Sequence, residues 1–144
     1  MPIEYVPEIP LMRPIIDYDN RGYWESLQRH ELAIQRCKNC GLRVHPPRPM
    51  CPRCLSTDKE WVPSSGRGVV HTWVTFFYEK SAYPGIKVPY SVAVVELDED
   101  GLRITANLVD LKPDEIYIGM PVEAVFVDVD EKLSLVHFRK RESR

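Results

Sequence analysis

The sequence predicts a mainly β chain in which an arm and a short helix precede a small metal-binding module and a five-stranded barrel. Two observations carry this expectation. Two Cys-x-x-Cys pairs stand with ten residues between them. After them, from about residue 66 to 140, five segments alternate apolar and polar residues with the period of a strand.

The size and charge of the chain narrow its class. Its 144 residues suffice for one domain or two small ones, and an apolar content of 44% is ordinary for a globular protein. A net charge of −2 gives no overall attraction to nucleic acid or to an anionic membrane. Met1-Pro2-Ile3-Glu4-Tyr5 lacks the basic start and apolar run of a signal peptide. No apolar stretch approaches the roughly 20 residues needed to span a bilayer. A cytoplasmic protein is expected, and in that reducing compartment four cysteines read as metal ligands rather than as disulfides.

The first region, 1–30, opens with an arm to about residue 16. Pro2, Pro7, Pro10 and Pro14 forbid a helix there and leave it extended. Its apolar side chains, among them Ile3, Tyr5, Ile9, Leu11, Met12, Ile15 and Ile16, lie either across a partner subunit or along the chain's own barrel. Tyr23, Trp24 and Leu27 at helical spacing then predict a short helix over about 20–29, with Asp19 or Asn20 as its cap.

The third region, 64–140, reads as strands throughout. They are expected at 69–78, 90–97, 102–108, 121–129 and 133–139, with turns at Glu99-Asp100-Gly101 and Asp130-Glu131-Lys132 and a helical turn at Pro113-Asp114-Glu115. Strict alternation in the first strand puts Val70, Thr72, Val74 and Phe76 on one face and His71, Trp73, Thr75 and Phe77 on the other. Five strands are too few for an immunoglobulin-type sandwich and fit a small barrel such as the OB-fold. A barrel this small needs large side chains inside, so Trp73, Phe76, Phe77 and Tyr78 are expected mostly in the core.

The second region, 31–63, holds the cysteines. Cys37, Cys40, Cys51 and Cys54 form two knuckles, and thiolates three residues apart in a tight turn supply adjacent corners of the tetrahedron that zinc prefers. Gly41 permits a positive φ just after the first knuckle, and Pro52 fixes φ inside the second. Some 30 residues cannot build a sizeable core, so metal binding supplies most of the folding energy here. Four thiolates leave no open coordination position, which makes the site structural. Iron in an electron-transfer role is the alternative metal, and the short spacer favours a zinc ribbon over it. His45 lies between the knuckles, as a competing ligand or within the connecting loop.

These residues together resemble a known family: OB-fold, acyl-CoA-associated proteins with an N-terminal rubredoxin-like zinc ribbon, long described as a domain of unknown function. The resemblance runs from Tyr23 to Phe138. It rests on an ordered series that includes Tyr23-Trp24, Leu32 to Cys37, the two knuckles, Pro46-Pro47-Arg48, Ser65 to Val70, Pro89-Tyr90, Val92 to Leu97 and Ile118 to Val122. It departs at Phe138-Arg139-Lys140, where the family commonly has Phe-x-Pro. The resemblance implies a non-catalytic subunit that binds acyl-CoA with a thiolase or hydroxymethylglutaryl-CoA synthase type enzyme.

An acyl-CoA site needs cations for phosphates and a flat surface for adenine. Arg67, between Gly66 and Gly68, is one candidate, as a phosphate contact or as a structural residue at the ribbon–barrel junction. The segment from Glu79 to Pro89 offers Lys80, Tyr83 and Lys87, as a binding loop or as a solvated one. His30, His71 and His137 have no Ser, Cys or carboxylate partner at a diagnostic spacing, so no catalytic residue is assigned. A single-stranded nucleic-acid-binding zinc-ribbon and OB module is the alternative function, and a pI near 6.1 argues against it.

Overall fold

In the computed structural model, which describes residues 12–78 and 86–142, helix α1 (Arg21–Gln28) turns Tyr23, Ser26 and Leu27 inward. Asn20 stands at its N-cap position, but its side chain does not cap. It accepts from the Asp17 N–H (2.8 Å) and donates to the Ile15 carbonyl (3.0 Å), tying the preceding turn instead. Ser26 is fully buried and satisfied: its hydroxyl donates to the Tyr23 carbonyl (2.6 Å) and accepts from the Ala33 N–H (3.2 Å), joining helix to strand. The helix closes with Glu31 N–H on the Ser26 carbonyl and His30 N–H on that of Leu27. This is a Schellman motif, with His30 at φ 58° where glycine is usual.

Three short strands follow. β1 (Ala33–Cys37) lies between β2 (Arg43–Val44) and β3 (Lys59–Pro63) in an antiparallel sheet. β3 reaches the helix through Trp61, whose indole occupies the space where a Cβ on Gly22 would stand. Lys59 extends to Asp19 (3.1 Å), a second tie between the two parts.

Residues 67–140 supply β4 (Arg67–Phe76), β5 (Tyr90–Leu97), β6 (Arg103–Leu108), β7 (Pro121–Asp130) and β8 (Leu133–Lys140). They close into a barrel in the order β4-β5-β6-β8-β7, antiparallel except where β6 meets β8. Pro113–Glu115 forms the expected helical turn. Val70, Val95, Met120, Val122 and Phe138 fill the interior, and the core continues through Tyr23 and Leu27 to Leu32 and Ile34. Helix, ribbon and barrel therefore share one hydrophobic cluster.

The first strand departs from strict alternation. A register shift between Val70 and Thr72 leaves His71 without a partner across the β4–β5 ladder, and the facing reverses beyond it. Val70 is inside, Trp73 packs against the core, and Val74 is exposed. The expectation of a mostly buried aromatic run holds for Trp73 and Phe76, which are partly buried, and fails for Phe77 and Tyr78, which lie beyond β4 and are exposed at 69% and 64%.

The arm is described from residue 12 onward, and residues 1–11 fall outside the described part. Arg13 forks onto Asp130 at the β7–β8 turn (2.7 Å), while Ile15 and Tyr18 stay exposed. No helix among the described residues is long and apolar enough to cross a membrane.

Gly22 generates a prediction. In an open helix position, Gly→Ala stabilises by up to about 1 kcal/mol. Here the added methyl displaces Trp61, and Gly22→Ala is expected to destabilise the metal-loaded chain by about 1–3 kcal/mol in urea unfolding. An unchanged or raised midpoint would refute the Trp61–helix contact.

Candidate metal centre and junction cleft

The two knuckles are built to one plan. In the first, the Gly41 N–H donates to the Cys37 carbonyl (2.9 Å) and the Cys37 N–H to that of Leu42 (2.8 Å). In the second, Leu55 donates to Cys51 (3.0 Å) and Cys51 to Ser56 (2.9 Å). Both turns need a left-handed residue. Gly41 meets that need at φ 78°, and Leu55 meets it at φ 65° with its side chain 67% exposed.

These turns bring the sulfurs of Cys37, Cys40, Cys51 and Cys54 within 4.8 Å of one another. Cys37 Sγ lies 3.5 Å from Cys54 Sγ, and Cys40 Sγ lies 3.6 Å from Cys51 Sγ. A tetrahedron with metal–sulfur bonds of about 2.3 Å has edges of about 3.8 Å, so the donor set fits zinc. The surroundings favour the thiolate at Cys40 and Cys54, while Cys37 is raised. The Leu42 N–H and then the Arg53 guanidinium bring Cys40 down to about 6, while the Asn39 side chain and the Ser56 N–H lower Cys54. His45 stands apart from the sulfurs. Its ring centroid lies 5.3 Å from that of Tyr23, and burial pushes its imidazole down to about 4, which keeps it neutral near pH 7. Among the described residues, the four cysteines are the one group of His, Cys, Asp or Glu side chains close enough together to hold a metal.

A cleft of about 320 Å³ opens where the helix end, the ribbon exit and the barrel meet. Its lining includes His30 and Glu31 from the helix end, Ser65 before the barrel, and Arg67, Glu123 and Phe126 from β4 and β7. Glu99 fixes the ribbon exit by accepting from the Ser64 hydroxyl and the Ser65 N–H, both at 2.7 Å. Gly66 sits at φ 75°, with Ala124 Cβ 3.2 Å from where its own Cβ would be. That contact and the Ala124 N–H on the Gly66 carbonyl (2.8 Å) hold β7 against the junction.

Two of the four ligand-binding candidates, Arg67 and Lys87, lie within the described residues. Arg67 begins β4 and is among the residues lining the cleft. Lys87 is exposed just before β5, beyond the other end of β4, up to about 30 Å away along an extended strand. Lys80 and Tyr83 lie outside the described residues.

The fold makes one arrangement that no sequence spacing announced. His30 Nε2 meets the Asp128 carboxylate at 3.0 Å, and the Ser134 hydroxyl donates to the same carboxylate at 2.6 Å. These two bonds hold the Asp128 carboxyl below its usual range, that from Ser134 contributing most. The serine bonds to the carboxylate and not to the imidazole, so His30 is not placed to take its proton. His71 lies beside Glu96 at 3.8 Å, and His137 is buried in β8 with its imidazole pushed down by burial.

Comparison with known proteins fits this architecture. Residues 24–60 match the ChsH2 rubredoxin-like zinc ribbon domain, and residues 61–127 match the ChsH2 C-terminal OB-fold domain. The chain is 40% identical over 136 residues to a probable enoyl-CoA hydratase alpha subunit of Thermomonospora curvata, covering 94% of this chain and 42% of that one. It thus spans about two fifths of that relative's length. It is 43% identical over 117 residues to a DUF35 domain-containing scaffold protein of Methanocaldococcus jannaschii, covering 77% and 78% of the two chains. Identity to the benzoylsuccinyl-CoA thiolase subunit BbsA of Geobacter metallireducens is 37% over 106 residues, covering 73% and 66%. Among solved structures, a chain of the Ltp2-ChsH2(DUF35) aldolase superposes with a TM-score of 0.82 at 40% identity, covering 89% of this chain and 98% of that one.

The unequal knuckle turns generate a prediction. Leu55→Gly removes a left-handed leucine and little buried surface, so the metal-loaded chain is expected to gain about 1 kcal/mol. Thermal unfolding beside the parent checks it, and a lowered midpoint would contradict the left-handed turn at Leu55.

Proposed function

The chain belongs to the ChsH2 family of rubredoxin-like zinc ribbon and OB-fold proteins, and from that premise we propose that it is a non-catalytic, acyl-CoA-binding subunit of a thiolase or hydroxymethylglutaryl-CoA synthase type enzyme. The observation that carries this reading is the company its relatives keep. A scaffold protein, a CoA thiolase subunit and a CoA hydratase subunit all align with most of this chain, and it superposes closely on a chain of an aldolase assembly. One fold recurring as a component of different CoA enzymes points to a shared supporting role, with the chemistry supplied by the partner.

The residues support that role in three ways. Cys37, Cys40, Cys51 and Cys54 hold one zinc ion with all four positions taken, which makes the metal structural. Arg67 offers a cation to a phosphate, and Lys80, Tyr83 and Lys87, from the segment between β4 and β5, are further contact candidates. Met12, Ile15 and Tyr18 leave an apolar strip of the arm open to solvent, suited to lie on the partner enzyme. The setting is the cytoplasm, where the ribbon thiols stay reduced.

Affinity capture of the tagged chain from nuclease-treated extract of its own source tests the reading. A thiolase or hydroxymethylglutaryl-CoA synthase type enzyme is expected in near-stoichiometric amount. Recovery of ribosomal or replication proteins without a condensing enzyme would overturn it and put the nucleic-acid alternative in its place.

A further inference from the structure

We propose that Arg53, which binds no metal itself, sets how long the centre keeps its ion and favours a divalent ion over ferric iron. This goes beyond the subunit reading above and does not depend on it.

The two knuckles act on each other from equivalent positions. Asn39 precedes the second cysteine of the first knuckle, and Arg53 precedes the second cysteine of the other. Arg53 crosses to the first knuckle, where its Nη2 donates to the Cys40 carbonyl at 2.8 Å. Asn39 acts in the opposite direction, on the Cys54 thiol. Cys37 and Cys51 are buried, whereas Cys40 and Cys54 are partly exposed. The crossed side chains therefore serve the two ligands that water and competing chelators can reach. The bond from Arg53 holds Cys40 against a swing that would open the metal.

Charge distinguishes Arg53 from Asn39. A divalent ion in four thiolates leaves two net negative charges, and a ferric ion leaves one. Three other cations of the ribbon are committed to carboxylates: Arg36 to Glu60 at 2.9 Å, Arg43 to Asp100 at 2.7 Å and Lys59 to Asp19 at 3.1 Å. Arg36 also nears the first knuckle, with Nη2 3.4 Å from where a Cβ on Gly41 would stand, but Glu60 offsets its charge. Lys38 and Arg48 are exposed, and their side chains make no hydrogen bond among the described residues. From Arg43 to Thr57 the sequence contains no carboxylate, and Arg53 pairs with none among the described residues. Its charge is met by the sulfurs instead, Cys40 first and then Cys51 and Cys54, which push its guanidinium further up. A full positive charge beside the sulfurs stabilises the more negative centre, which is the divalent one.

The test uses the full zinc-loaded chain and follows transfer of zinc to the coloured chelator pyridylazoresorcinol. Arg53→Met removes the charge and the bond at similar side-chain length, and is expected to lose zinc about tenfold faster. Arg53→Lys keeps the charge and is expected to restore most of the parent's retention. The second readout is the full chain loaded with iron in place of zinc, its reduction followed by visible absorption. At a fixed potential, Arg53→Met is expected to lower the ferrous-to-ferric ratio about tenfold, a midpoint shift of about 59 mV. Arg53→Lys should stay close to the parent. A purely structural tie would leave that ratio unchanged, so an unchanged ratio overturns the proposal. Equal zinc loss from parent and Arg53→Met overturns it as well. If Arg53→Lys loses zinc as fast as Arg53→Met, charge is not what Arg53 contributes, and the proposal falls.

Discussion

Four sulfur atoms held within 4.8 Å of one another constrain everything around them. As thiolates they repel, and as thiols they give their segment almost no cohesion; a divalent cation resolves the conflict. The segment has little else to fold on. Between residues 38 and 58, the buried apolar side chains are Val44 and Cys51. Metal binding of roughly 10–16 kcal/mol is therefore the main force that closes the ribbon. Once the knuckles are fixed, β1 and β3 leave them side by side, with Cys37 opposite Lys59 and the Lys38 N–H on the Asp58 carbonyl at 3.1 Å.

From there the order propagates outward through a few contacts. β3 sets Trp61 on Gly22, which fixes the helix. Arg43 reaches Asp100 at 2.7 Å, and the neighbouring Glu99 grips Ser64 and Ser65, so the β5–β6 turn holds both the ribbon and its exit. The chain then passes Gly66 and enters the barrel at Arg67, while the helix end presents His30 from the other side. The cleft is the place where these three anchored parts leave space between them. A chain that lost its metal would lose the geometry of the cleft with it, although no cysteine touches the cleft.

Much of this was legible because it is written in local spacing. The cysteine pairs announced the ribbon, and period-two runs located all five barrel strands, with β5 placed at its observed limits of 90 and 97. What was not legible depends on events that local pattern does not encode. The bulge at His71 reverses the facing of β4 without any glycine or proline to mark it, which is why Val74 is exposed where a smooth strand would shelter it. The ribbon strands are too short, at two to five residues, to show alternation. His30 and Asp128 are 98 residues apart, so their pairing exists only after the barrel has closed. Leu55 hides the equivalence of the two knuckles, because the position that is glycine in the first is leucine in the second.

The most direct test is the metal itself. The chain would be purified from cells supplied with both iron and zinc, analysed for metal content and visible absorption, and its amide spectrum compared before and after chelation. The structure leads us to expect one zinc ion per chain, no visible absorption, and loss of the dispersed signals of residues 37–58 when the metal is stripped. An iron-loaded, coloured protein would contradict this, and so would a ribbon that kept its dispersed spectrum without any metal.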